Sequence, residues 1–256
     1  MIEMATILND LRLWGARFSQ QARMKRLSSM GFSGLTPNFD QSRRVLIVGA
    51  GPSATQKAVT SVRGEFDAVV TLNSAWRHAP DADVISYEFA FRNPEIFAQQ
   101  KRELLNLPME RVLLKPYALF MMPRSELRWI IERVGQRGSS AQPHFVPHHN
   151  VSDLTLLTKP GALSPKKRLP VQWKGSLTMW LDLCWLQKVE IIGLIGTDLG
   201  EPGVDGRFVA HGTNVTGRGS ATIIEMLGHL RRQGYLDGLS FRHFHSNTQL
   251  REVLHG

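Results

Sequence analysis

The stretch from Arg43 to Val62 most constrains what this chain can fold into. Val45-Leu46-Ile47-Val48 is an apolar run, Gly49-Ala50-Gly51-Pro52-Ser53 is a turn, and a helix-compatible segment follows. A short, fully apolar run bounded by glycine reads as a strand buried on both faces, and strand–turn–helix units of this kind build parallel sheets. The pattern repeats. Phe66 to Leu72, Asp83 to Tyr87, Arg111 to Lys115, Val189 to Ile195 and Leu239 to His243 read as further strands. Residues 94–106, 124–136, 176–187 and 219–234 read as helices. This alternation predicts an α/β class: a single Rossmann-like domain over residues 41–256, with a mostly parallel sheet and helices on both faces.

Residues 1–40 stand apart from that pattern. Met4, Ile7, Leu8, Leu11, Trp14 and Phe18 recur at helical spacing, which predicts an amphipathic helix over residues 4–30. Such a helix docks on its own domain or a twin subunit, or lies on an anionic lipid surface. Gly31 to Asp40 carries the breakers of a linker, and Gly138 to Pro170, rich in Ser, Pro, His and Lys, reads as a long functional loop.

The chain carries 31 basic and 22 acidic side chains, a formal charge of +9. That excess suits nucleic acid, an anionic membrane surface or a phosphorylated ligand. The basic residues are scattered, and no RNA-binding aromatic motif, zinc-finger spacing or basic zipper is present, so nucleic acid is not expected. The one cysteine, Cys184, excludes an intramolecular disulfide and fits a reducing compartment. No run reaches the roughly 18–20 uncharged apolar residues of a membrane span. A cytoplasmic protein, peripheral at most on the inner membrane face, is the expectation.

Three places in the sequence hold chemistry. The Gly49–Ser53 turn offers backbone amides and the start of a helix to a phosphate, although the third glycine of a dinucleotide fingerprint and the Walker lysine are missing. Ser53, Asn73-Ser74, Glu88 and Asp198 fall at strand ends, where open α/β sheets bind ligands. His211, in a glycine-containing loop, has an ordinary pKa of about 6.5 that suits a general base. His144, His148 and His149, like His243 and His245, lack a zinc spacing, so no metal site is expected. There is no nucleophile elbow around any serine.

Several of these segments resemble a known family. VLIVGAGPS, the strand ending in Asn73, and GSLTMWLDLCWLQKVEIIGLIGTDL followed by His211 are similar to the bacterial sialyltransferases of glycosyltransferase family 42. With PDADVISYE and DLGEPGVDGRFVAHGT they also resemble a related group, the motility accessory factor glycosyltransferases and the archaeal 6-hydroxymethylpterin diphosphokinases. The resemblance spans about residues 44–250 through short, separated motifs. It implies that Gly49, Gly51, Pro52, Ser53, Asn73 and Ser176 contact the nucleotide of a CMP-sugar donor, and that His211 is the base toward an acceptor hydroxyl. Asp198, ending the G-x-D strand, joins them as a residue suited to a ribose.

Two departures qualify what the resemblance implies. Ala50 stands where the sialyltransferases usually carry Asn, and no tyrosine lies between Asp198 and His211, where that family places the two that stabilise the leaving phosphate. Lys174, Arg207, Arg218 or the Lys166-Lys167-Arg168 run would have to take that role by charge. The expectation is a metal-independent transferase of a sialic-acid-like (nonulosonate) sugar, acting on a cell-surface glycan or glycolipid as in lipopolysaccharide biosynthesis, peripheral to an anionic membrane and open to homo-oligomerisation. The alternatives are an ATP- and Mg-dependent 6-hydroxymethylpterin diphosphokinase-like enzyme, with Glu88 and Asp198 as metal ligands, and a non-catalytic nucleotide-binding protein.

Overall fold

The computed structural model describes residues 21–39, 41–91, 93–136, 142–150, 170–172, 176–198, 217–232, 234, 236–244 and 248–255. In chain order the strands are β1 (Ser33–Gly34), β2 (Arg44–Val48), β3 (Ala68–Leu72), β4 (Val84–Tyr87), β5 (Val112–Leu114), β6 (His144–Phe145), β7 (His149–Asn150), β8 (Val171–Gln172), β9 (Ile191–Ile195) and β10 (Ser240–Phe244). The helices are α1 (residues 21–29), α2 (Gln56–Arg63), α3 (Pro94–Leu104), α4 (Pro116–Met121), α5 (Arg124–Gly135), α6 (Ser176–Leu186), α7 (Gly217–Arg232) and α8 (Thr248–His255).

Among the described residues eight strands form one sheet in the order β1-β6-β5-β4-β3-β2-β9-β10, and every pairing in it is parallel. The α/β, Rossmann-like expectation holds. β7 and β8 pair separately. The central strands are near-continuous apolar runs because helices cover both faces. On one face Val45, Ile47, Val70, Leu72, Val84, Ile192 and Leu194 pack on α6, α7 and α8. On the other, Leu46, Val48, Val69 and Ile195 meet Val59 of α2, while Ile85, Val112 and Leu114 meet Phe97, Leu104, Leu127 and Ile130 of α3 and α5.

α6 is buried on every side from Ser176 to Cys184. Its apolar sequence, without a polar stripe, follows from that position. Burial pushes the Cys184 thiol well above its ordinary range, which keeps it in the unreactive protonated form. Gly193 interrupts β9 for a packing reason, since a Cβ there would overlap the Phe66 ring.

Residues 31–39 differ from a free linker. β1 extends the sheet beside β6, Phe32 and Phe39 are buried, and Gln187 clamps the segment. It accepts from the Phe39 amide at 2.6 Å and donates to the Pro37 carbonyl at 2.7 Å. Of the amphipathic helix expected over 4–30, residues 1–20 lie outside the described residues; α1 buries Leu27 and packs Met24 and Met30 on the α3–α5 side of the domain. Most of the long loop also lies outside the described residues, but its first part supplies β6 to the sheet. Among the described residues no helix is long and apolar enough to cross a membrane.

Candidate ligand site at the carboxyl edge

The chain leaves β2 toward β3 on one side, whereas β9 is added on the other. The carboxyl ends beside such a reversal, here those of β2 and β9, are the place where sheets of this kind bind ligands. The Gly49–Ser53 turn and Gly196-Thr197-Asp198 meet there. Gly49 donates to the Ile195 carbonyl and Gly51 to the Gly196 carbonyl, both at 2.8 Å. The Ser53 amide (3.1 Å) and hydroxyl (2.9 Å) both donate to one oxygen of Asp198.

The glycines are needed for this meeting of strand ends. A Cβ on Gly49 would overlap the Gly196 carbonyl, and one on Gly51 would overlap both that carbonyl and the Asp198 carboxylate. Gly196 reciprocates at φ +68°, with its own Cβ position filled by Gly49 and Ala54. The space beside Gly49 and Gly51 is therefore filled by the neighbouring strand end. The helix also starts later than Pro52-Ser53. α2 begins at Gln56, with Thr55 as its N-cap accepting from the Ala58 amide at 3.1 Å. The amides of Gly49, Gly51, Ser53, Ala54 and Thr55 all donate within the protein.

Asn73 directly follows β3, one strand away from β2 on the side opposite β9. It sits at φ +56°, a left-handed conformation that asparagine tolerates better than most residues, and begins a 3-10 turn over Asn73–Arg77. Its Oδ1 is buried without a hydrogen-bond partner. The Thr197 hydroxyl, on a residue only 4% exposed, is likewise unpaired. Buried polar atoms are nearly always paired; these two lie at the carboxyl edge of the sheet, while Ser86 Oγ and Trp180 Nε1 are unpaired elsewhere. Ser176 is buried at the first residue of α6, whose side of the sheet also carries Leu72, the residue before Asn73.

Residue by residue, the structure brings Gly49, Gly51, Pro52, Ser53 and Asp198 together and sets Asn73 on the next strand. Arg218 is the second residue of α7. His211, Lys174, Arg207 and the Lys166-Lys167-Arg168 run lie outside the described residues. A cleft of about 410 Å³ runs along α2, lined by Thr55, Lys57, Ala58, Ser61, Val62, Ile195 and Phe244. None of the site residues expected from sequence lines it.

Further along the edge, Glu88 follows β4 and Lys115 follows β5. The Lys115 side chain is 1% exposed and its ammonium donates to Glu88 at 2.5 Å. Lys115 was legible only as the end of an apolar strand; a lysine between such a run and Pro116 was the available signal. Tyr87, just before Glu88, donates its hydroxyl to Glu103 at 3.1 Å, and burial raises that phenol far above its ordinary pKa. The two carboxylates weighed as metal ligands, Glu88 and Asp198, both have protein partners. Among the described residues no group of three or more His, Cys, Asp or Glu stands together as a metal set. Comparison of the chain with protein-family models, with curated proteins and with solved structures returned no match.

Proposed function

We propose that this protein binds a cytidine nucleotide across the carboxyl ends of β2, β3 and β9 and transfers a sialic-acid-like sugar from a CMP donor to a glycan or glycolipid hydroxyl. The observation that carries the reading is the unpaired, buried Oδ1 of Asn73, at the carboxyl end of the strand next to the one that leads into the glycine turn. An orphaned amide oxygen calls for a donor, and a nucleotide supplies one from a ribose hydroxyl or a base amine. The resemblance of VLIVGAGPS, Asn73 and Ser176 to the sialyltransferase motifs selects cytidine among the nucleotides.

In this reading Asn73 and Ser176 hold the nucleotide, and Asp198 fixes the glycine turn. His211 takes the proton of the acceptor hydroxyl as that oxygen attacks the anomeric carbon, and the bond to the CMP phosphate breaks. Lys174, Arg207 and Arg218 supply the positive charge that the departing phosphate needs. The net charge of +9 suits both that anion and an acidic membrane surface bearing the acceptor. Thermal-shift screening with CMP, CDP, UDP, GDP, and ATP with Mg²⁺ tests it. Stabilisation by cytidine nucleotides supports the reading, and a response confined to ATP with Mg²⁺ contradicts it. His211→Ala is expected to keep CMP binding and lose about 10²–10⁴-fold in turnover.

A further inference from the structure

Lysine is almost never fully buried unless it is paired, and Lys115 is paired with Glu88 alone among the described residues, using one of its three ammonium donors. The Glu88 side chain is 32% exposed, whereas the lysine it pairs with is enclosed. Its backbone is held as well. Gln100 donates to the Glu88 carbonyl at 2.9 Å and accepts from the Ala90 amide at 2.7 Å, and the Lys115 amide donates to the Tyr87 carbonyl at 2.9 Å. Stability does not explain such a pair, because a buried ion pair is commonly no better than an apolar pair of similar size.

Its place in the sheet does suggest a use. Leu72 is level with Ser86, and Tyr87 with Leu114, so Glu88 and Lys115 leave adjacent strands side by side, and Asn73, level with Tyr87, lies one residue short of Glu88 on the strand before. Glu88 lies one strand beyond Asn73, ~4.8 Å further from the glycine turn, within reach of a group attached to a nucleotide that Asn73 holds. A carboxylate accepts hydrogen bonds and repels both the phosphate and the sugar's own carboxylate, so what it suits is the hydroxyl-bearing part of the sugar, away from those anions.

We propose that Glu88 reads the hydroxyls of the transferred sugar, and that Lys115 is the positioning residue that fixes its carboxylate. The proposal rests on the nucleotide-sugar reading above and assigns a second half to that site. The test is calorimetric titration of wild type, Glu88→Gln and the charge-neutral double variant Glu88→Gln/Lys115→Met with CMP and with CMP-sialic acid. Wild type should bind CMP-sialic acid more tightly than CMP. Both variants should bind CMP as wild type does and lose about 10- to 100-fold for the CMP-sugar. An unchanged preference in the variants, no preference in wild type, or loss of CMP binding by the double variant overturns the subsite while leaving nucleotide binding in place. A wild-type protein that binds neither compound overturns both.

Discussion

Ser53 donates twice to one Asp198 oxygen, from its hydroxyl at 2.9 Å and its amide at 3.1 Å, and so ties the turn after β2 to the end of β9. Hydrogen bonds to a charged group are worth about 1.5–3 kcal/mol each, and both donors would be stranded without the carboxylate. Asp198→Ala is therefore expected to lower unfolding free energy by about 2–4 kcal/mol, read from urea titration, and to weaken nucleotide binding with it. Asp198→Asn, which keeps an acceptor at the same place, should retain most of the stability.

The same junction predicts a contrast between glycines. Gly51→Ala puts a methyl group into the Asp198 carboxylate and the Gly196 carbonyl, and overpacking of this kind costs about 1–3 kcal/mol. Gly64 caps α2 at φ −68° with open space where a Cβ would go. Gly64→Ala should stabilise by about 0.4–1 kcal/mol through the unfolded chain. Paired denaturation curves check both signs, and equal effects would refute the close-approach account of Gly51.

How much of this was legible follows from the range of each interaction. β2, β3 and β9 stood out as apolar runs because burial on two faces removes polar residues from the strand itself. The glycine turn was equally plain, but its reason was not, since Gly196 and Asp198 reach it only through the β2–β9 pairing. The Glu88–Lys115 pair was hidden for the same reason, depending on β4 lying beside β5. β1 and β6 are two residues long and carry no periodicity to read. α8 did carry a signal, Leu250 and Leu254 at a four-residue spacing, that a close reading of residues 248–255 would have used.

A pH dependence should arise away from the site. Burial, with smaller contributions from His255 and Arg251, lowers His243 from 6.5 to about 4. Between those values the unfolded chain binds a proton that the folded chain resists, so stability is full above pH 6.5 and falls as pH drops toward about 4. Urea midpoints at pH 7.5 and 5.0 should separate more for wild type than for His243→Gln. Parallel shifts in both proteins would assign the acid sensitivity elsewhere.

Calorimetric titration of CMP into wild type and Asn73→Ala asks whether Asn73 holds a cytidine nucleotide at the carboxyl edge of the sheet. Wild type should bind one CMP saturably, and the variant at least about tenfold more weakly by loss of one buried hydrogen bond. Wild type that fails to bind CMP, or a variant that binds it equally well, rules out a nucleotide held by Asn73.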